Sequence, residues 1–174
     1  MKIYVSADIE GIAGTTHWNE THADKPDYGE FRDQMTAETA ACCEGAKEAG
    51  AKDIWVQDAH GGGRNIVAAR LPEEARIVRG WSFNPFSMVQ ALDESFDAVC
   101  MIGYHAHSGS DASPLSHSMT TELTHLHVND RPASEFLVHA WCAETVGVPV
   151  ALVTGDEGLC MHVKEINGAI ATVG

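Results

Sequence analysis

Apolar residues in this chain form short continuous runs, and longer, partly polar segments separate them. The runs predict four main strands, at residues 2–8, 53–58, 97–103 and 149–155. The segments between them predict three main helices, at residues 29–49, 133–146 and 156–167. Strands that alternate with helices favour an α/β fold, in which helices flank a mostly parallel sheet and the crossovers are right-handed.

Shorter elements are predicted in the remaining chain. Helices are expected at residues 65–71 and 84–92. In the second, Asn84 suits an N-cap and Pro85 suits the first helical position. Short strands are expected at residues 75–80, 125–128 and 169–173, with a turn at 129–132. Residues 104–123 have no clear period, and we interpret them as a long loop of the kind that often carries function.

Length and composition suit a single α/β domain over residues 1–174, without repeats or linkers. Nothing at the start resembles a signal peptide, and no apolar run is long enough to cross a membrane, so we expect a soluble, cytoplasmic protein without a membrane partner. The formal net charge of −14 argues against nucleic acid as a partner, because such binding needs clustered Lys and Arg. The five cysteines contain no C-x-x-C pair and are interpreted as small packing residues.

Side chains that can bind metals follow three of the predicted strands. Asp8 and Glu10 follow the first strand, His60 follows the second, and His105 follows the strand at 97–103. The carboxyl ends of parallel strands share one edge of the sheet, and sites form there at the point where the strand order reverses. We therefore expect these four side chains to converge at that edge.

The pair Asp8 and Glu10 needs a chemical explanation. In extended backbone, side chains two residues apart point to the same face, so these carboxylates repel each other. Without a cation one of them would keep its proton at a raised pKa, whereas a divalent metal supplies the missing positive charge. With His60 and His105 added, the ligand set suits zinc and, less selectively, manganese, iron or cobalt. Taken singly, each residue has a more ordinary explanation as a cap, a surface acid or a hydrogen-bonded histidine, but their coincidence favours a metal site.

Five linked motifs extend this interpretation: SADIEGIAG, QDAHGGG, NPFSMVQALDESFDAVCMIGYHA, SHSM and VNDRPASE. In this order and spacing they resemble the zinc-dependent D-aminopeptidase family of the DppA type, peptidase family M55, through nearly the whole chain. The resemblance implies a hydrolase with two zinc ions per subunit. It also implies that the substrates are short peptides from which an N-terminal D-amino acid, preferably D-Ala, is released.

The resemblance assigns metal ligands residue by residue. Asp8 of the D-x-E-G motif corresponds to a ligand that both zinc ions share, and Glu10 and His60 complete one of the two sites. His105 of G-Y-H-A and Glu135 of N-D-R-P-x-x-E complete the other. Without the resemblance, Glu135 is explained only as an acid that suits the N-terminus of a helix.

The resemblance has three further implications. His117 of S-H-S-M corresponds to the catalytic nucleophile or general base. The protein is expected to form a homo-oligomer, a ring-like assembly of ten subunits. Family members continue beyond the point that corresponds to Gly174, so the chain is expected to lack the C-terminal region that supplies pocket walls and subunit contacts.

Other functions fit the same ligands. One is a dinuclear amidase or phosphoesterase of different specificity, although the scarcity of Lys and Arg near the site argues against a phosphate substrate. Another is a metal-binding fragment without catalytic activity. Several residues keep two explanations each, a place in or behind the site or an ordinary polar contact: Asp58, Asp156, Glu157, His125 and His127. His107 is explained only by ordinary hydrogen bonding.

Overall fold

The computed structural model describes residues 1–174, and a parallel sheet forms its centre. The strands are β1 (Lys2–Ala7), β2 (Asp53–Asp58), β3 (Ala75–Val78), β4 (Ala98–Tyr104), β5 (His127–Val128), β6 (Arg131–Pro132), β7 (Val150–Gly155) and β8 (Ala171–Val173). Six of them form one sheet in the order β3-β2-β1-β4-β7-β8, and all neighbouring pairs are parallel. The predicted α/β fold is confirmed.

Helices cover both faces of the sheet. They are α1 (Tyr28–Glu48), α2 (Glu135–Thr145) and α3 (Glu157–Ile166), close to the three main helices predicted. Side chains alternate between the faces along each strand, so Val5 packs in one apolar cluster with Met35 of α1. Met101 packs in the other cluster with Phe136 of α2 and Leu159 of α3. The apolar core therefore lies on the two faces, and polar side chains collect at the strand ends.

The helix predicted at residues 84–92 does not form. Residues Ser87–Val89 make a single 3-10 turn, and Ser87 has a left-handed φ of 45°, which an α-helix of L-residues does not contain. The Asn84 side chain accepts a hydrogen bond from Phe86 N at 2.8 Å and closes a tight turn instead of capping a helix. That prediction was wrong because the same residue type serves both purposes.

Two other predicted elements are shorter than expected. The helix predicted at residues 65–71 is a single 3-10 turn at Ala68–Arg70. The strand predicted at 125–128 is reduced to β5, which pairs with β6 as an antiparallel hairpin. Its two turn residues, Asn129 and Asp130, have left-handed φ values of 52° and 64°, the geometry that a tight hairpin requires.

The strand order reverses between β1 and β4, which are neighbours in the sheet although β2 and β3 separate them along the chain. The chain leaves the two strands in opposite directions at this point, so a crevice opens beyond their carboxyl ends. Residues 105–126 after β4 contain no helix and only an isolated bridge, in agreement with the predicted loop. The fold therefore brings the ends of β1, β2 and β4 together beside an irregular loop.

Two further observations concern the helices and the cysteines. None of the helices combines the length and the apolar character that a membrane span requires. All five cysteines are free thiols, and three of them are buried: Cys43, Cys100 and Cys160.

Two glycines allow close packing at the end of β4. A Cβ atom at Gly155 would lie 1.9 Å from the Tyr104 carbonyl oxygen, and one at Gly11 would lie 1.7 Å from the same oxygen. Tyr104 directly precedes His105, so the packing around this carbonyl also fixes the backbone that carries the imidazole.

We expect Gly155→Ala to lower the free energy of unfolding by roughly 3 kcal/mol or more, because the added methyl group collides with backbone atoms of β4. Urea denaturation followed by circular dichroism measures the change. Gly45→Ala in α1 is the matched control, since a Cβ atom there meets nothing within 4 Å, and it should be neutral or stabilising. Equal stability of the two variants would contradict the packing argument.

Candidate metal centre

Three carboxylates and three imidazoles meet at the carboxyl edge of the sheet. They are Asp8 and Glu10 after β1, His60 after β2, His105 and His117 after β4, and Glu135 at the start of α2. All except His105 line one cavity of about 860 Å³, and His105 is fully buried. The fold therefore brings together all six residues that the sequence singled out.

Five of these groups form two sets that share Asp8. His60 Nδ1 lies 3.2 Å from Asp8 Oδ1 and 3.0 Å from Glu10 Oε2. His105 Nε2 lies 3.6 Å from Asp8 Oδ2 and 3.5 Å from Glu135 Oε1. The two oxygens of Asp8 thus face different imidazoles, an arrangement in which one carboxylate can serve two neighbouring cations.

Backbone carbonyls determine which nitrogen of each imidazole carries hydrogen. A carbonyl oxygen only accepts hydrogen bonds, so the ring nitrogen that contacts it is the donor. His60 Nε2 donates to the Thr21 carbonyl at 2.9 Å, and His105 Nδ1 donates to the Ala106 carbonyl at 3.0 Å. The other nitrogen of each ring faces the carboxylates, the orientation of histidines that bind metals.

Burial makes the negative charges of this cluster costly. Asp8, Glu10 and Glu135 are each at most 5% exposed. Burial, and after it the repulsion from Glu10, raises the pKa of Asp8 to about 8. Burial alone would lower the pKa of His105, but the neighbouring Glu135 carboxylate outweighs it and raises that pKa to about 10. The site therefore favours positive charge, which protons or a bound cation can supply.

Two buried atoms of the cluster lack hydrogen bonds. Glu10 Oε2 and His105 Nε2 have no hydrogen-bond partner, although groups of the cluster lie 3.0 Å and 3.5 Å from them. Unpaired polar atoms at such depth are costly unless a cation or proton lies between them. Ligand atoms of Asp8, Glu10 and His105 lie within 4.8 Å of one another, as do those of His105, His117 and Glu135. Mixed imidazole and carboxylate ligands suit zinc, so these residues fit the metal that the sequence predicts.

Aromatic contacts hold His117 in place. Its ring stacks on His105 with centroids 4.1 Å apart and planes 9° apart, and Trp18 makes a T-shaped contact with it at 5.4 Å. Its Nδ1 donates to the Leu115 carbonyl at 2.9 Å, and its Nε2 lies 3.3 Å from Glu135 Oε1. This geometry permits two roles, a base or nucleophile in the cavity and an additional metal ligand.

The glycine-rich loop that carries His60 is closed by a hydrogen-bond network around Asp58 that the sequence did not reveal. The buried Asp58 carboxylate accepts hydrogen bonds from Asn65 N, Asn65 Nδ2 and Ile66 N. Asn65 Nδ2 also donates to the His60 carbonyl at 2.7 Å, and Tyr28 donates to Asn65 Oδ1 at 2.7 Å. Asp58 therefore stabilises the turn and does not contact the imidazole. No sequence pattern distinguished Asn65 from an ordinary loop residue.

We expect Asn65→Ala to lower the free energy of unfolding by roughly 3 kcal/mol, because it leaves the Asp58 carboxylate and the Tyr28 hydroxyl short of a buried partner. Calorimetric unfolding of the metal-free protein measures the change. Asn19→Ala, in the short turn at Trp18–Glu20, is the matched control because Asn19 takes no part in this network. A loss no larger than that of the control would show that the loop does not depend on Asn65.

The other candidates from the sequence do not line the cavity. Asp156 caps α3 through one oxygen, and its second oxygen accepts a hydrogen bond from Ala106 N at 2.7 Å, next to His105. It therefore orients the backbone behind the site. Four further candidates also lie outside the cavity lining: Glu157, His107, His125 and His127.

Comparison with known proteins places these features in a family. A family model described as D-aminopeptidase, peptidase family M55, matches residues 1–174. The curated D-aminopeptidase of Bacillus subtilis (strain 168) is 34% identical over 172 residues, which is 99% of this chain. A solved structure of the Zn-dependent D-aminopeptidase DppA from Bacillus subtilis, described as a self-compartmentalizing protease, matches 100% of this chain with a TM-score of 0.94 and 33% identity.

The chain is shorter than both relatives. It spans 62% of the curated D-aminopeptidase and 63% of the chain in the solved structure.

Proposed function

Because the chain belongs to the M55 family of D-aminopeptidases, we propose that it is a zinc-dependent hydrolase that releases N-terminal D-amino acids, D-Ala preferentially, from short peptides. Both Bacillus subtilis relatives are described as D-aminopeptidases, one of them as Zn-dependent.

The position of Asp8 between two sets of ligands is the observation that carries this proposal. Asp8, Glu10 and His60 would hold one zinc ion, and Asp8, His105 and Glu135 would hold the second. No lysine or arginine lines the cavity. The charge that balances the three carboxylates therefore comes from protons held within the cluster, from bound ions or from the substrate.

Bound zinc, the buried carboxylates and His117 would have different roles in peptide hydrolysis. Bound zinc would supply Lewis-acid polarisation of the peptide carbonyl and activation of water for attack. The buried carboxylates favour a substrate with a free, cationic N-terminus, which suits release of a terminal residue. His117 presents Nε2 at the cavity wall, where it can accept a proton or attack the carbonyl carbon. Its stacked contact with His105 holds the ring in that orientation.

Zinc analysis combined with peptide hydrolysis tests the proposal. We expect two zinc ions per chain and cleavage of D-Ala-D-Ala at least about tenfold faster than cleavage of L-Ala-L-Ala. Acetylation of the substrate's N-terminus should abolish cleavage. Hydrolysis of a phosphate ester with the D-Ala peptides left intact would favour a phosphoesterase instead. Zinc binding without any hydrolysis would indicate a metal-binding fragment.

We also propose that the protein works in the cytoplasm as a homo-oligomer, with the ten-subunit ring as the expected form. The description of the DppA structure as a self-compartmentalizing protease supports an assembly of several subunits. The number ten is what the family resemblance implies. Sedimentation velocity should then give a mass about ten times the 18.7 kDa of the chain. A monomer at micromolar concentration would contradict this part of the proposal.

A further inference from the structure

Two large apolar side chains are exposed at the opening of the active-site cavity. Phe83 is 95% exposed and Met119 is 45% exposed, and both line the cavity. Both also have left-handed backbone conformations, with φ of 58° and 64°. Such conformations are unfavourable for bulky residues and persist only where the surrounding structure enforces them, which happens most often at functional sites.

Hydrogen bonds enforce the position of Phe83. Two residues before it, Trp81 Nε1 donates to the Gly61 carbonyl at 2.7 Å, which ties the segment to the loop that carries His60. Ser82 N donates to Gln90 Oε1 at 2.7 Å, and Gln90 Nε2 donates in turn to the Gly80 carbonyl at 2.7 Å. Phe83 therefore directly follows a segment that is held by the His60 loop and by Gln90, and its side chain is exposed.

Met119 is anchored to the opposite set of ligands. Its backbone N–H donates to Glu135 Oε1 at 2.7 Å, and the preceding Ser118 hydroxyl donates to the Ala133 carbonyl at 2.7 Å. Phe83 is thus linked to the His60 side of the site, and Met119 is linked to the Glu135 side. Each of the two ligand sets, the one with His60 and the one with Glu135, therefore has one apolar side chain linked to it through the backbone.

We propose that Phe83 and Met119 form an apolar clamp for the second residue of the substrate, the residue that leaves with the new amino terminus. This inference rests on the proposed D-aminopeptidase function. The first residue must bring its amine and carbonyl to the carboxylates, which are at most 5% exposed, so the following residue lies nearer the exposed rim. No lysine or arginine in the cavity offers that residue a cationic partner, and we assign its selection to the apolar side chains at the rim. Peptides with a large apolar second residue are the expected substrates.

Three substrates distinguish an effect on the clamp from an effect on the catalytic centre. D-alanine amide has no second residue, D-Ala-Gly has one without a side chain, and D-Ala-D-Phe has a large apolar one. The zinc-loaded protein should cleave D-Ala-D-Phe with a kcat/KM at least about tenfold above that of D-Ala-Gly, since a fitting apolar contact gives discrimination of that order. Phe83→Ala with Met119→Ala should remove this preference and leave D-alanine amide within about twofold of the unchanged protein.

Two further variants serve as controls. Phe83→Leu keeps an apolar side chain and should retain most of the preference for D-Ala-D-Phe. Met161→Ala removes a methionine that is 61% exposed in α3, outside the cavity, and should change none of the three rates. Both are surface positions, so loss of folding does not obscure the comparison.

The possible outcomes distinguish the clamp from its alternatives. If the double variant slows all three substrates equally, or if its main effect is a lower oligomer mass, these side chains serve the active site or a subunit contact and the clamp is wrong. If the unchanged protein shows no preference for D-Ala-D-Phe over D-Ala-Gly, the clamp is also wrong, while the proposed function stands. If the unchanged protein cleaves none of the three, the proposed function fails and the clamp fails with it.

Discussion

Asp8→Asn should leave less than one zinc ion per chain, compared with the two that we propose for the unchanged protein. The amide keeps the size of the carboxylate but carries no charge, and Asp8 is the only group whose two oxygens face both imidazoles, His60 and His105. Removing it weakens both sites together. Hydrolysis of D-Ala-D-Ala should fall by roughly 10²–10³-fold or more, the scale for losing a central electrostatic group.

The same substitution should not unfold the protein. Burial and repulsion from Glu10 raise the pKa of Asp8 to about 8 in the folded protein. Because the unfolded chain ionises Asp8 more readily, the free energy of unfolding falls as pH rises from the ordinary aspartate pKa to about 8. The neutral amide avoids that cost, so the metal-free variant should melt at the same temperature as the unchanged protein or higher. Only the stabilisation that added zinc provides should disappear.

Plasma emission spectrometry of the dialysed protein measures the zinc content, and calorimetry with and without zinc measures the stabilisation. Asp111→Asn is the matched control, since Asp111 is exposed in the loop after β4 and lies outside the cavity. Retention of two zinc ions by Asp8→Asn would contradict the role of Asp8 as a shared ligand.

His117→Ala should lower the turnover of D-Ala-D-Ala by roughly 10³-fold while both zinc ions stay bound, because loss of a general base or nucleophile removes a chemical step and not a metal site. His117 Nε2 lies 3.3 Å from Glu135 Oε1, so it is also close enough to the ligand cluster to bind metal itself. Metal content and rate therefore have to be measured on the same sample.

His22→Ala is the control for this experiment. His22 lines the same cavity and lies beside Trp18, with ring centroids 6.2 Å apart, but it makes no ion pair with the carboxylates. It should retain most of the activity. Loss of one zinc ion in His117→Ala would assign His117 as a ligand, and near-normal turnover would exclude a catalytic role.

The main strands were predictable because each is a local apolar run. The side chains that can bind metal follow three of these runs directly in the sequence. Segment 53–58 is β2 as predicted, and Asp8, His60 and His105 follow their strands as expected. The segment at 84–92 was not predictable, because the left-handed φ of Ser87 depends on the anchoring of its loop and not on a local preference. Likewise, only packing shows that Asp156 holds Ala106 N and does not line the cavity.

Glu135 shows a different limit of sequence reasoning. From the residues alone it was a favourable charge at a helix start, and only the family resemblance connected it with His105. In the fold, α2 starts beside the end of β4, and the two side chains come within 3.5 Å. A distance of this kind depends on how two elements pack, which no local pattern contains.

The sequence by itself determined the α/β class, the strands and the kind of ligands at their ends, because apolar runs and residue chemistry are local properties. The tertiary structure alone decided the strand order, and with it the position of Asp8 between two imidazoles. It also decided which nitrogen of His60 is free, because the carbonyl of Thr21, 39 residues away in sequence, holds the other. These features depend on contacts between distant segments, and such contacts exist only when the whole sheet has formed.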